Sequence, residues 1–469
     1  MKDILHKLNL IWQTAIEAIF SKKEHDFTKI SLNRAIALLA IPMVLEMIGE
    51  SLFAVVDIFF VSRVGEAAIA TVGLTESVLF LIYSLAIGIA GAAAAMVARR
   101  IGEKQREKAG QAAAQSILLS LSVSLVIAIP GFFFAEDVLR LMGAEADVLE
   151  IGTWYTRIMF AGNAVIMMLF LLNGIFRGVG NAAIAMRSLW IANIINMILD
   201  PCLILGLGPF PELGVVGAAV ATNIGRGIGV CFQLFILFKG SGTIHLQAAY
   251  FRPQWPVIKR LVQVASGGAG QYLISSASWI FLTRIIAEFG TQVVAGYQAA
   301  LRLIIFFILP AFGIANASAT LVGQSLGASL PERASSAAWR SSFVAMIYMV
   351  LVSITFFFVA DLAIGPFVES VRAMTAGTTF LKIISLGYIF FGYGMVLGQS
   401  FNGAGDTRTP TIINFLVFWL VQIPLAYVLA IALDYQETGV FFAIVFSYMI
   451  FALICVWWFR LGNWKKVQI

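Results

Sequence analysis

Apolar stretches of 18 or more residues recur from one end of this chain to the other. Runs of that length cross a bilayer as helices and are far too long for the strands of a membrane barrel. The charged fraction agrees: 12% of the 469 residues are Asp, Glu, Lys or Arg, about half of what a soluble domain carries. The pattern predicts an all-α integral membrane protein of about twelve spans. They fall at 36–60, 70–98, 110–134, 152–175, 188–207 and 215–238, then at 261–286, 293–320, 340–359, 375–398, 410–432 and 438–459.

Displaced by 225 residues, the sequence matches itself without a gap. Gly65 falls on Gly290, Gly102 on Gly327, Glu107 on Glu332 and Gly152 on Gly377. Phe176, Gly178 and Gly180 fall on Phe401, Gly403 and Gly405, and Glu212 and Gly214 on Glu437 and Gly439. Loop glycines and acids aligned at one offset point to a duplicated unit of six spans. An even number of spans per copy makes the halves parallel, related by a pseudo-two-fold axis along the membrane normal. The expected organisation is an N-terminal segment at 1–34, an N-lobe at 35–238, a linker at 239–260, a C-lobe at 261–460 and a tail at 461–469.

Lys and Arg set the orientation. They crowd residues 1–34, the loop ARRIGEKQREKAG, the linker and the tail, whereas Glu136, Asp137, Glu145, Asp147 and Glu150 gather in an opposite loop. Both termini are therefore expected in the cytoplasm and the protein in the inner (plasma) membrane. In residues 1–34, Ile4, Leu5, Leu8, Ile11, Trp12, Ala15, Ile16 and Ile19 recur at helical spacing, which predicts an amphipathic helix on the inner surface.

Several function classes drop out. The net charge of +6 reflects basic loops rather than a nucleic-acid partner. Cys202, Cys231 and Cys455 are scattered through apolar segments, and His6, His25 and His245 lie in polar ones. Neither set has the spacing of a zinc site or a disulfide framework. FRGVGN and FNGAGD lack the strand–helix context and the Lys-Ser/Thr ending of a phosphate loop. No cofactor is expected, and ATP is not expected to drive the chain.

What remains is a set of acids inside the membrane. Between Ile41 and Val61 the ionisable residues are Glu46, Glu50 and Asp57. At about 100° per residue, Glu50 lies about 40° round from Glu46 and Asp57 about 20° back from Glu50, so the three share one face. In span 5, Asn196 stands one turn before Asp200, and Pro201 removes an N–H and kinks the helix, freeing a carbonyl near the carboxylate. A carboxylate this deep is a functional candidate by default. The repeat sharpens that: Asp57 falls on Leu282 and Asp200 on Leu425. A scaffold role as polar glue between helices would have kept polarity in both halves. Glu50 reads equally as a relay or cargo-attracting group and as a buried hydrogen-bonding group. Glu46 and Glu76 are candidates for the same relay or cargo-attracting role, although Glu46 reads more readily as structural and Glu76 in span 2 as a snorkelling surface acid. Arg226 in span 6 needs an acidic or carbonyl partner that the sequence does not name.

VVDIFFVSRVG in span 1, FRGVGN after span 4, NIINMILDP in span 5 and FNGAGDTRTP after span 10 together resemble the multidrug and toxic compound extrusion (MATE) transporters, over essentially the whole chain. The resemblance implies two six-helix lobes round a V-shaped cavity, and export of organic, often cationic drugs in exchange for H+ or Na+ by a monomer. It assigns Asp57, Asp200 and Asn196 to an N-lobe cation site, lined also by Asn173 and Tyr155. The second acidic site that one branch carries on spans 7 and 10 is missing here, which resembles the DNA-damage-inducible branch. Two carboxylates sharing a site resist ionising together, so an arriving cation neutralises them. Cargo contact should be apolar and aromatic, with Tyr155, Phe53 and Met168 as candidates, although a single Phe or Met more often packs against lipid. The competing readings are a flippase for a lipid-linked sugar, whose anionic cargo would want a basic cavity, and a membrane-embedded transferase, which would want a buried His.

Overall fold

The computed structural model describes residues 12–20, 25–239 and 243–469. Within them the chain is helical, with no strand. After a short helix α1 at 12–20 come α2 (Leu32–Val61), α3 (Glu66–Gly102), α4 (Arg106–Phe133), α5 (Ala135–Leu141), α6 (Ala146–Ala161), α7 (Asn163–Val179), α8 (Ala182–Ile204) and α9 (Val215–Lys239). The second half holds α10 (Trp255–Ala287), α11 (Thr291–Gly327), α12 (Pro331–Ile364), α13 (Val371–Gly403), α14 (Arg408–Ala432) and α15 (Gln436–Leu461). Among the described residues nine helices are long and apolar enough to cross a membrane, and α6 with α7, bent by 43° at their junction, are so when taken together. α2 and α10, of 30 and 33 residues, have the length to cross as well. Apolar side chains face outward along these helices: Phe358 and Leu362 are each 78% exposed, a surface suited to lipid and not to water.

α1 covers the part of the expected amphipathic segment from Trp12 onward. Trp12, Ile16 and Phe20 stand exposed at i, i+4 and i+8, and Ala18 is buried. Ile4, Leu5, Leu8 and Ile11 lie outside the described residues.

The chain packs into two compact units. One takes Leu45–Ala269 with Ile16–Asp26; the other takes Phe27–Val44, Gly270–Ile469 and residues 12–15. The chain thus changes unit inside α2, between Val44 and Leu45, and inside α10, between Ala269 and Gly270. The two changeovers are 225 residues apart, the offset at which the sequence matches itself.

Small residues let helix backbones touch in both units, as the packing of membrane helices requires. In the first, a Cβ on Gly178 of α7 would lie 2.6 Å from the carbonyl oxygen of Ala94 in α3. In the second, a Cβ on Gly403 of α13 would lie 2.2 Å from the carbonyl oxygen of Ala319 in α11. Both members of this contact are 225 positions apart in the sequence. Gly152 against Thr71 and Gly377 against Gly296 form a second such set.

Span 4, expected as one helix, is broken at Gly162. The reason lies on α9. A Cβ at Gly162 would sit 1.7 Å from Oδ1 of Asn223, so the amide occupies the room a side chain would need. Asn223 donates to the carbonyl of Ile158 at 3.4 Å, as well as to Ala219 in its own helix at 2.9 Å. The Ile158 carbonyl also accepts from Gly162 N–H at 2.8 Å, so the Asn223 side chain joins the backbone ladder at the turn before the break. In α13 the equivalent Gly387 faces Tyr448, and the helix runs through unbroken.

Candidate functional site

The site lies within the unit that holds Leu45–Ala269. Three helices build it: α2 supplies Asp57, α8 supplies Asn196 and Asp200, and α9 supplies Thr222. Pro201 falls in the last turn of α8, which ends at Ile204. Asp200 is fully buried, Asn196 is 1% exposed and Asp57 is 9% exposed. Asn196 Nδ2 donates to Asp200 Oδ1 at 3.1 Å and to Thr222 Oγ1 at 3.3 Å. Gly225 admits this approach, since a Cβ there would meet the Ala192 carbonyl at 2.6 Å and Asn196 Cβ at 3.1 Å. Asp57 and Asp200 lie in each other's electrostatic field.

The hydrogen-bond ledger of this cluster is one-sided. Asp57 Oδ1, Asp200 Oδ2 and Asn196 Oδ1 are buried and accept no hydrogen bond. Buried polar atoms are ordinarily paired, and each exception calls for a cause. Here the unpaired atoms are all acceptors. Carboxylate, amide and hydroxyl oxygens are ligands for a small hard cation, and the carboxylates alone take a proton. Among the described residues no three His, Cys, Asp or Glu are grouped to hold a metal ion, so any cation would rely on the amide and hydroxyl as well.

Tyr155 of α6 is 3% exposed and lies in the electrostatic field of both Asp57 and Asp200. Beside it, Thr156 shares a 2.8 Å hydrogen bond with Thr75 of α3, the neighbour of Glu76. Glu76 itself is exposed and within electrostatic reach of Asp57.

Glu50 and Glu46 are each paired with an arginine. Glu50 Oε1 accepts from Arg226 Nη2 at 2.9 Å, and the guanidinium lies over the Phe53 ring at 4.7 Å. This supplies the partner of Arg226 that the sequence left unnamed. Glu46, 1% exposed, accepts from Arg177 and from Asn173, both at 3.0 Å on Oε1. Gln233 in turn donates to Asn173 at 2.6 Å. Asn173 is thus brought to Glu46 and not hydrogen-bonded within the Asp57–Asp200 cluster. Met168 is buried in α7.

Thr222 is the site residue that sequence reasoning missed. Its signal was present but weak: it stands one turn before Arg226 on α9, on the same face.

The Glu46–Arg177 pair has a counterpart in the other unit. At the equivalent positions Gln271 and Asn402 bond each other reciprocally, at 2.9 and 3.1 Å. A neutral amide pair therefore makes the same kind of tie between equivalent helices. Arg177→Met strands a buried carboxylate and should cost roughly 3–5 kcal/mol. The double exchange Glu46→Gln with Arg177→Asn copies the other unit and should cost no more than ~1 kcal/mol. Thermal unfolding of the purified variants checks both values. A double variant as unstable as Arg177→Met would show that the amide pair is no substitute.

Comparison with known proteins bears on what such a site does. Residues 42–202 and 269–428 match the family described as MatE. The "Probable multidrug resistance protein YoeA" of Bacillus subtilis is 23% identical over 97% of this chain and 99% of its own length. The protein from Thermotoga maritima named "Probable multidrug resistance protein NorM" is 24% identical, over 91% of this chain and 92% of its own. A solved structure described as the outward-facing conformation of a multidrug resistance MATE family transporter superposes with a TM-score of 0.88 at 27% identity, covering 95% of this chain and all of that one.

Proposed function

We propose that this chain, which belongs to the MATE family, exchanges an organic, amphipathic and cationic compound for H+ or Na+ bound at Asp57 and Asp200. As a member of that family it is a multi-pass membrane transporter that exports compounds, and not an enzyme. The coupling ion and the charge of the cargo are the proposal. The observation that carries it is the acceptor-only cluster: two carboxylates and an amide present three buried oxygens with no donor.

The cycle follows from charge. Without a bound cation the cluster holds two carboxylates and offers a counter-charge to a cationic cargo. A cation arriving from outside neutralises it, and the cargo loses that attraction. Burial of a neutral cluster then costs less than burial of a charged one, so the bound ion favours the conformation in which the site is most enclosed. Such a differential preference is what lets an ion drive a conformational change. Glu50 and Glu46 are already paired with Arg226 and Arg177. Attraction of cargo therefore falls to Asp57, Asp200 and the exposed Glu76.

The test is ethidium efflux from proteoliposomes of the full chain, with a pH gradient and a Na+ gradient imposed separately. Efflux driven uphill by one of them names the ion. If neither gradient moves the dye, while a lipid-linked sugar is translocated, the flippase reading replaces this one.

A further inference from the structure

Arg226 is a buried cation in a site that otherwise collects negative charge. Its side chain is 9% exposed. Of the five N–H donors a guanidinium carries, Nη2 bonds Glu50, and Nε is buried without a hydrogen bond. The guanidinium rests over Phe53, which stands three residues after Glu50 and four before Asp57 on α2. It therefore lies on the stretch of helix between those two carboxylates. One turn back along α9 is Thr222, which reaches Asp200 through Asn196. Glu50 and Asp57 on α2 and Glu76 and Tyr83 on α3 act on it, while Tyr155 on α6 and Asp200 on α8 lie in the field of Asp57. Asp57, Glu76 and Tyr83 all feel its charge.

The other half of the sequence supplies a control. At the positions equivalent to Asp57, Asp200, Glu50 and Glu76 stand Leu282, Leu425, Ser275 and Leu301, and at that of Arg226 stands Phe451. Where the carboxylates are absent the arginine is absent too. The tie at Glu46 and Arg177, by contrast, has a polar counterpart in that half. Arg226 therefore goes with the ion chemistry and not with the scaffold.

We propose that Arg226 is the resident counter-cation of the site, a positioning residue shared between Glu50 and Asp57 that stabilises the emptied carboxylate and so lets the coupling ion leave. This rests on the antiport reading above. With the ion bound, Asp57 is neutral and the guanidinium belongs to Glu50. When the ion departs, Asp57 is charged again within the field of the guanidinium, whose Nε is still unused, and the positive charge offsets it. A site without Arg226 would hold its ion more tightly and release it more slowly.

The competing account gives Arg226 one task, neutralising Glu50. The pair of variants Arg226→Gln and Arg226→Gln with Glu50→Gln separates the two. The double variant keeps the net charge and leaves no stranded glutamate, so it folds even if the single one does not. Binding is measured directly on the purified full chain, using ²²Na+ by scintillation proximity and protons by the carboxylic-acid infrared band during pH titration. For whichever ion the wild type takes up, the double variant should bind it on the order of tenfold more tightly. In proteoliposomes its maximal efflux should fall while the ion concentration for half-maximal rate also falls. A double variant that binds like the wild type shows that Arg226 serves Glu50 alone and overturns the proposal. So does weaker binding, and so does a wild type that takes up neither ion. Efflux that no gradient drives would sink the antiport reading instead, and the binding comparison would still decide the role of Arg226.

Discussion

Asp57→Asn and Asp200→Asn should each cut gradient-driven ethidium efflux by about 100-fold, the upper end of what coupling between two bound species supplies. The loss should come without loss of folding. Asp200 is fully buried and receives one hydrogen bond, from Asn196. Asp57 Oδ1 receives none. Ionised carboxylates so placed cost stability, and an amide of the same shape removes the charge. Thermal unfolding should therefore stay at the wild-type temperature or rise. Stability bought at the expense of activity is the mark of a functional site. The glutamates should behave differently. Glu50→Gln leaves Arg226 without its ion-pair partner, so that variant should lose stability. If both aspartate variants transport like the wild type, the site lies elsewhere.

The second large effect is expected at the break in span 4. Gly162→Ala places a Cβ 1.7 Å from Asn223 Oδ1, a separation no side chain tolerates. Asn223 must move, and with it go the hydrogen bonds to Ile158 and Ala219. Overpacking of this kind typically costs ~1–3 kcal/mol. Thr222, the next residue on α9, is drawn along, so efflux should fall with stability. Gly387→Ala, at the equivalent place, meets Tyr448 at 3.1 Å and Val445 at 3.3 Å and should be much milder. Combining Gly162→Ala with Asn223→Ala removes the clash and should recover folding. It removes the side-chain tie from α9 to Ile158, whose carbonyl keeps only the Gly162 N–H, so efflux should recover less. Equal losses at Gly162 and Gly387 would mean that the kink has no special standing.

Those expectations rest on features that were unequally legible in the sequence. The helical membrane plan was open to reading because lipid forces long apolar runs on a spanning chain. Asp57, Asn196 and Asp200 were legible too. An acid inside such a run is conspicuous, and Asn196 and Asp200 are one turn apart on a single helix. What escaped were contacts between helices far apart in sequence. Glu50 and Arg226 are 176 residues apart, and nothing local ties them. Asn173 looked like a cation ligand, yet it meets Glu46, 127 residues away. Thr222 resembles any hydroxyl that bonds back to its own helix. The break at Gly162 was hidden because Gly387 matches it in sequence while its helix stays whole. The difference is one side chain on another helix, Asn223 against Tyr448. Residue type and spacing report on one helix at a time, whereas a site is made by several.

The central claim is that cargo and ion movements are obligatorily coupled through Asp57 and Asp200. The direct measurement runs the exchange backwards. Proteoliposomes start with no ion gradient, an ethidium gradient is applied, and H+ and Na+ fluxes are followed with a pH dye and ²²Na+. The account predicts that ethidium moving down its gradient drives one of the two ions the opposite way in the wild type, and that neither aspartate variant moves it. Ethidium that crosses with no ion movement in the wild type, or equal ion movement in the variants, would contradict it.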